Sequence, residues 1–226
     1  VSADAQIEVL LRDDAVVVVA KPSGLAVHKG WAKDDRYAMT VTRDTVGRWV
    51  YPVHRLDRAT SGALLFALSP ELAEVLAAQF RAHTVAKRYL ALVRGVPPEQ
   101  LLIDRPLAKD KGDEPRPART RVERLWTFER RYSLVAALPE TGRQHQIRRH
   151  LKGATHPLIG DVRYGKGDHN RLFRERFGLH RLALHAARLS FDHPLSGERV
   201  TVTAPIPDDL AGPLRAMGAP EEVLLP

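Results

Sequence analysis

Residues 53–68, VHRLDRATSGALLFAL, set the strongest condition on any fold this chain can adopt. The first half crowds His54, Arg55, Asp57, Arg58, Thr60 and Ser61 into a polar turn, and the second half is almost wholly apolar. A polar turn feeding a buried strand lets a rigid scaffold present one reactive side chain at the floor of a pocket. Asp57 stands between Arg55 and Arg58, where the polar residues give way to the apolar run. On composition alone it reads as a surface ion-pair residue, an arrangement worth little to stability. Only companion motifs elsewhere in the chain can displace that reading.

Strand-like runs recur along the sequence. Residues 7–11 and 15–20 flank the turn Arg12-Asp13-Asp14, and further runs lie at 62–68, 90–93, 120–128, 132–138, 182–191 and 198–204. Helices are fewer. One is predicted around residues 38–47, and Ser69-Pro70-Glu71 opens another, with Ser as cap and Pro at the first helical position. Leu72, Val75, Leu76 and Phe80 carry its apolar face toward His83. Residues 143–152 read as a basic helix, and Pro207-Asp208-Asp209 starts a closing helix with acids at its positive end. Residues 108–119 and 165–178 are polar and charged, and are expected to be loop insertions. With no repeat and no linker composition, the chain is expected to form a single α+β domain over residues 1–226. A central, mainly antiparallel sheet flanked by helices and loops is the predicted architecture, with no separate domain beside it.

Composition removes several kinds of chemistry. The sequence has no cysteine, which excludes disulfides, zinc–thiolate centres and iron–sulfur clusters. Its ten histidines show no HExxH, and His145 and His150 are five apart rather than four, so no metal site is expected. Neither a G-x-S-x-G elbow nor a phosphate- or dinucleotide-binding glycine loop is present. No apolar run approaches the roughly 18 residues of a membrane span, so a cytoplasmic protein without a membrane partner is expected. The net charge is +8, from 35 Lys and Arg against 27 Asp and Glu. Arginine dominates, and its planar fork suits phosphate, so nucleic acid is the better match for this charge. The helix over residues 143–152 sharpens that expectation. A solvated basic helix normally carries acids four residues from its cations, and none occurs here.

Four segments then agree in order and spacing with a known family. HRLDRATSG at 54–62 resembles the catalytic motif of the RluA-type pseudouridine synthases. KPSGLAVH at 21–28 is similar to that family's N-terminal motif, and KRYLALVRG at 87–95 to its tyrosine motif. GRQHQIRRHL at 142–151, with HPLIGD at 156–161, is similar to its C-terminal motif. The resemblance covers roughly residues 7–204, and within the family it is finest to a subgroup acting on tRNA. The middle of the chain departs from that subgroup, since residues 101–132 are compact where a longer insertion is expected.

The resemblance implies an enzyme that isomerises a uridine in RNA to pseudouridine, with no cofactor and no metal. The C1′–N1 bond breaks, the uracil turns, and a C1′–C5 bond forms. The target base must first leave its stack, at a cost of a few kcal/mol. Carried over, Asp57 is the essential carboxylate, whether it attacks the sugar, attacks the base or abstracts a ribose proton. Arg148 matches the arginine that pairs with it, an opposite charge favouring the ionised form. Tyr89 matches the tyrosine that stacks on the flipped uracil, although a core strand tyrosine is the competing reading. Arg55 matches the arginine that fills the gap left by the base, and Ile147 an apolar residue lining the pocket. His54, Arg58, Arg143, His145 and Gln146 are expected to contact RNA, and Arg149 and Lys152 to meet its phosphates. A tRNA is the expected partner and ribosomal RNA the alternative. A monomer is the default expectation. A lone carboxylate argues against glycoside hydrolysis, which uses two.

Overall fold

A computed structural model describes residues 7–29, 36–110 and 112–225. The elements run β1 (Glu8–Arg12), β2 (Val16–Lys21), α1 (Ala38–Val46), β3 (Tyr51–Pro52), β4 (Ser61–Ala67), α2 (Pro70–Arg81), β5 (Ala86–Arg94) and β6 (Gln100–Asp104). They continue with β7 (Arg119–Phe128), β8 (Tyr132–Pro139), α3 (Gln146–Gly153), α4 (Gly167–Phe177), β9 (Leu184–Asp192), β10 (Arg199–Thr203), α5 (Asp208–Ala216) and α6 (Glu221–Leu224). The expected α+β class, built on antiparallel pairing, is what forms. The chain divides into two compact units. The first holds the residues up to Val85 together with Ala186–Pro205, and the second holds Ala86–His185 and the stretch from Ile206 onward.

In the first unit the strand order is β1-β2-β4-β9, with β3 against β4 and β10 against β9. The β1–β2 turn forms because Asp13 Oδ1 accepts from the N–H groups of Ala15 and Val16, both at 2.8 Å. β4 is buried along its whole length, as its unbroken apolar run requires. Val16, Val18, Ala63, Leu65 and Ala67 share one face by register and pack with Leu76, Leu189 and Phe191. α2 covers that face. It begins as predicted, with Ser69 Oγ accepting from the Leu72 N–H at 3.3 Å and Pro70 in the first turn.

In the second unit the order is β5-β8-β7-β6, antiparallel throughout. Leu92, Tyr132 and Leu134 lie on one face and form a core with Phe173 of α4 and Leu210 and Leu214 of α5. The other face carries α3. Thr120 of β7 bonds to Gln146 and to His150, at 3.0 and 2.9 Å.

Three expectations need correction here. Residues 165–178 are not a loop insertion, because Phe173 is fully buried and fixes α4 across most of that stretch. Glycine and charge at both ends hid a helix whose only fully buried side chain is Phe173. The helix expected from residue 143 starts at Gln146, since His145 adopts left-handed backbone (φ 53°) at its N-cap. β6 was missed because its burial alternates while its sequence, QLLID, does not: Leu102 is exposed between half-buried Leu101 and buried Ile103 on the last strand of the sheet. Of residues 108–119, expected as a loop insertion, those up to Ala118 lie outside any helix or strand and Arg119 opens β7, with residue 111 outside the described residues.

Candidate active site

In the first unit, the loop carrying Asp57 is held by the loop after β2. Lys21 is 1% exposed, and its ammonium donates to the carbonyls of Pro22 at 2.8 Å, Leu25 at 2.7 Å and Arg58 at 3.2 Å. A buried charge is tolerated only when its hydrogens are satisfied, which three carbonyls achieve. Ser23 Oγ donates to the Ala59 carbonyl at 2.8 Å. Gly24 and Arg58 exchange two bonds, Gly24 N–H to Arg58 O at 2.8 Å and Arg58 Nε to Gly24 O at 2.9 Å. The KPSG and HRLDR motifs are therefore two sides of one brace. Asp57 itself is half-buried, and its carbonyl accepts the Thr60 N–H at 3.0 Å to close the turn.

His54 stands at the entry to this loop and is used structurally. Its Nε2 accepts the Leu65 N–H of β4 at 3.0 Å, where the short β3 ladder has ended. Its ring stacks on Phe80 at 4.7 Å. Arg55 is exposed, and Leu56 is buried between it and Asp57. Gly62, closing the motif, is at φ 117°, and a Cβ there would come within 2.2 Å of the Ala186 carbonyl. The motif glycine is thus required by the close approach of β9.

In the second unit, Tyr89 lies opposite Ala137 of β8, which lies opposite Val122 of β7. Thr120 is two residues from Val122 on the same face and bonds to α3, so Tyr89 belongs to the face that α3 covers. Tyr89 is half-buried there. Lys87, two residues before it on that face, has its amine brought down to about 8 by burial.

Arg148 of α3 is 8% exposed and holds a partner that sequence reasoning missed. Its Nε bonds to Asp161 Oδ2 at 2.7 Å and its Nη2 to Asp161 Oδ1 at 3.0 Å, a bidentate and buried pair. Asp161 Oδ1 also accepts the N–H groups of Arg163 and Tyr164, both at 2.9 Å. Asn170 of α4 clamps the same loop, donating to the Asp161 carbonyl at 3.0 Å and accepting the Gly160 N–H at 2.8 Å. Tyr164 then gathers cations over its ring. The Arg148 guanidinium lies 5.1 Å from the centroid, Arg163 5.4 Å and the Lys152 ammonium 5.9 Å. Its hydroxyl meets His145 Nδ1 at 3.0 Å.

The remaining residues of the C-terminal motif divide between scaffold and surface. Gln146 is buried; its Oε1 accepts from Thr141 Oγ1 and the Arg143 N–H, and its Nε2 donates to the Arg119 carbonyl and Thr120 Oγ1. Its amide sets the turn that starts α3. Ile147 is buried. Arg143 Nε donates to the Pro117 carbonyl at 3.0 Å, and Arg149 Nη1 to the Ala108 carbonyl at 2.8 Å. Lys152 is exposed. The basic helix therefore spends part of its donor capacity on carbonyls of its own unit. Among the described residues, no group of His, Asp or Glu is placed to hold a metal ion, and no helix is long and apolar enough to cross a membrane.

A braced carboxylate loop, an aromatic ring on a strand and a buried arginine on the helix over that strand sit in sequence order within one family's pattern. The chain belongs to the RNA pseudouridylate synthases, whose family model matches residues 15–153. It is accordingly an enzyme of RNA modification that converts uridine to pseudouridine. Among curated relatives, tRNA pseudouridine synthase C of Haemophilus ducreyi is 41% identical over 220 residues, covering 88% of this chain and 90% of that protein. The protein of the same name from Vibrio cholerae is 36% identical over 241 residues, covering 97% and 99%. Among solved structures, human RNA pseudouridylate synthase domain containing 1 has a TM-score of 0.75 at 27% identity, over 90% of this chain and 86% of that one. Its sibling domain containing 4 has a TM-score of 0.79 over 93% of both chains, and at 24% identity it speaks for the fold alone. Asp57, Tyr89 and Arg148 fall inside the matched residues, whereas Asp161 and Tyr164 lie beyond them.

Proposed function

We propose that this chain, a cytoplasmic monomer, isomerises a uridine of tRNA to pseudouridine, with Asp57 as the essential carboxylate. The observation that carries the substrate is the near-full-length match, at about 40% identity, to proteins named for tRNA. The brace around residues 57–60 supports the role of Asp57, because a catalytic carboxylate must be held close to its working geometry before substrate arrives. Asp57 acts ionised, Tyr89 stacks on the flipped uracil, and Arg148 completes the set as the arginine serving the carboxylate. Arg55 takes the space the base vacates, with Arg58 beside it. Arg143, His145, Arg149 and Lys152 contact the RNA backbone, while His54, Gln146 and Ile147 act by positioning their loops and the pocket wall. No metal or cofactor enters this reaction.

The decisive experiment substitutes Asp57→Asn, which keeps shape and removes charge. Pseudouridine formation is expected to disappear, with RNA affinity within about twofold of the parent protein. Product formed by that variant would refute the assignment. Mapping pseudouridines in cells with and without the gene tests the substrate. A site lost only from ribosomal RNA would overturn the tRNA reading.

A further inference from the structure

The second unit carries a cationic cluster to which the proposed catalysis assigns no role. Arg94, at the end of β5, stands opposite Tyr132 across the β5–β8 ladder. Arg131 immediately precedes Tyr132, and its carbonyl accepts the Gly95 N–H at 2.6 Å, so backbone bonding holds the two arginine positions together. The Tyr132 hydroxyl bonds to His169 Nδ1 at 2.8 Å, which brings the first turn of α4 and its N-cap Lys166 to the same place. Three separate segments thus deliver cations to one end of the sheet. Arg94, Arg131 and Lys166 are all exposed.

Nearby acids are committed elsewhere. Glu129 binds Arg176 at 2.8 Å, and Asp168 binds Arg171 at 2.8 Å. Among the described residues, no carboxylate pairs with Arg94, Arg131 or Lys166. The charge is felt inside the protein. Burial first, then the charges of Arg94 and Arg131 and more weakly Lys166, hold His169 below its ordinary value, with Asp168 opposing. The turn between β7 and β8 also keeps a conformation that a hairpin built only for stability would give to Asn and Gly. Glu129 and Arg130 both sit at positive φ, 49° and 52°. Such positions persist where something other than local stability retains them.

We propose that Arg94, Arg131 and Lys166 form a docking surface for the phosphate backbone of the RNA substrate, away from the reacting uridine. Arg94 lies five positions beyond Tyr89 on β5, about 17 Å of extended chain, and the alternation of a strand puts their side chains on opposite faces. The surface therefore grips a part of the RNA remote from the base being isomerised. Guanidinium forks suit phosphate oxygens, and their contacts carry affinity without reading sequence. This inference rests on the reading that a folded tRNA is the substrate.

The test compares the full chain with the triple variant Arg94→Ala, Arg131→Ala, Lys166→Ala on one tRNA transcript. All three side chains are exposed, and circular dichroism with an unfolding curve verifies the fold. KM is expected to rise about tenfold or more at low salt while kcat stays within twofold. The slope of log affinity against log salt should flatten by about two, since each phosphate contact contributes somewhat under one. The reversal Arg131→Glu, Lys166→Glu should weaken binding further. Unchanged KM and slope would overturn the docking surface. If the parent chain forms no pseudouridine in tRNA, the substrate reading falls separately, and the same slope comparison on a ribosomal RNA transcript still decides the surface.

Discussion

Asp161 receives opposing pushes. Burial drives its carboxyl up, while the Arg148 hydrogen bonds, the Tyr164 N–H, the Arg148 charge and the Arg163 N–H bring it down, and the net lies below the ordinary carboxylate value. A folded-state value below the unfolded one, about 3.9, gives stability that is present above that pH and lost as the pH falls through the folded value. Asp161→Asn keeps an acceptor for the two N–H groups but removes the carboxylate charge from its buried bidentate pair with Arg148. It should cost about 3–5 kcal/mol at neutral pH. Urea denaturation should show a narrower gap to the parent protein at an acid pH below the ordinary carboxylate range than at neutral pH, because the parent carboxyl then takes up its proton. An equal gap at both pH values would contradict this account. Tyr164 offers a second probe at the same scale. Its ring on Arg148 is worth about 0.5–2 kcal/mol, so Tyr164→Leu should lower kcat roughly tenfold with little change in KM. Tyr164→Phe, which keeps the ring, should restore most of the rate. Leu and Phe variants of equal activity would sink that role. The motifs singled out Asp57, Tyr89 and Arg148 as candidates, but not Asp161, which the structure pairs with Arg148. Helical spacing relates residues three or four apart, and Asp161 follows Arg148 by thirteen positions. Its signal was present nonetheless, because it is the only acid between Glu140 and Asp168.

Elements built around buried polar groups show where periodicity fails as a guide. α3 was legible as a helix, yet its first turn was not, because the Gln146 amide claims the Arg143 N–H and Thr141 hydroxyl and holds that segment as a turn. α4 was missed for the opposite reason: Phe173 is its only fully buried side chain, with Leu172 and Phe177 partly buried beside it, and most of its other side chains are polar. β5 supplies a test of an element under load. Lys87 titrates at about 8, lowered by burial, so the unfolded chain holds its proton more tightly than the folded one between about pH 8 and 10.4. Stability of the parent protein should rise with pH through that window. Lys87→Met should be more stable than the parent at neutral pH, and the difference should shrink as the pH approaches 10.4. Thermal melts across that range measure it, and a constant difference would refute the cause. β4 tests the reverse case. Gly62→Ala would drive a methyl into the Ala186 carbonyl at a backbone angle that disfavours side chains. A loss of roughly 3 kcal/mol or more is expected in chemical denaturation.

Seen at full length, the antiparallel α+β architecture followed from strand-like runs and turns, while the two compact units left no mark in the sequence. No linker separates them, because the first unit is completed by Ala186–Pro205, a segment that returns late in the chain. Composition windows detect a boundary only where the chain crosses it once. The net charge of +8 was legible from the start, and it predicts RNA affinity that weakens steeply as salt rises. Filter binding of the parent protein across a salt series should show that slope, and an affinity indifferent to salt would deny phosphate contacts altogether. Lys21 has a further consequence. Its ammonium, like the Ser23 hydroxyl and the Gly24 N–H, grips main-chain oxygens. A loop fastened in this way leaves its outward side chains open to revision. Arg55, exposed and outside that brace, can be exchanged by evolution or by an engineer to suit another RNA, while Arg58, whose guanidinium grips the Gly24 carbonyl, and the aspartate before it keep their station.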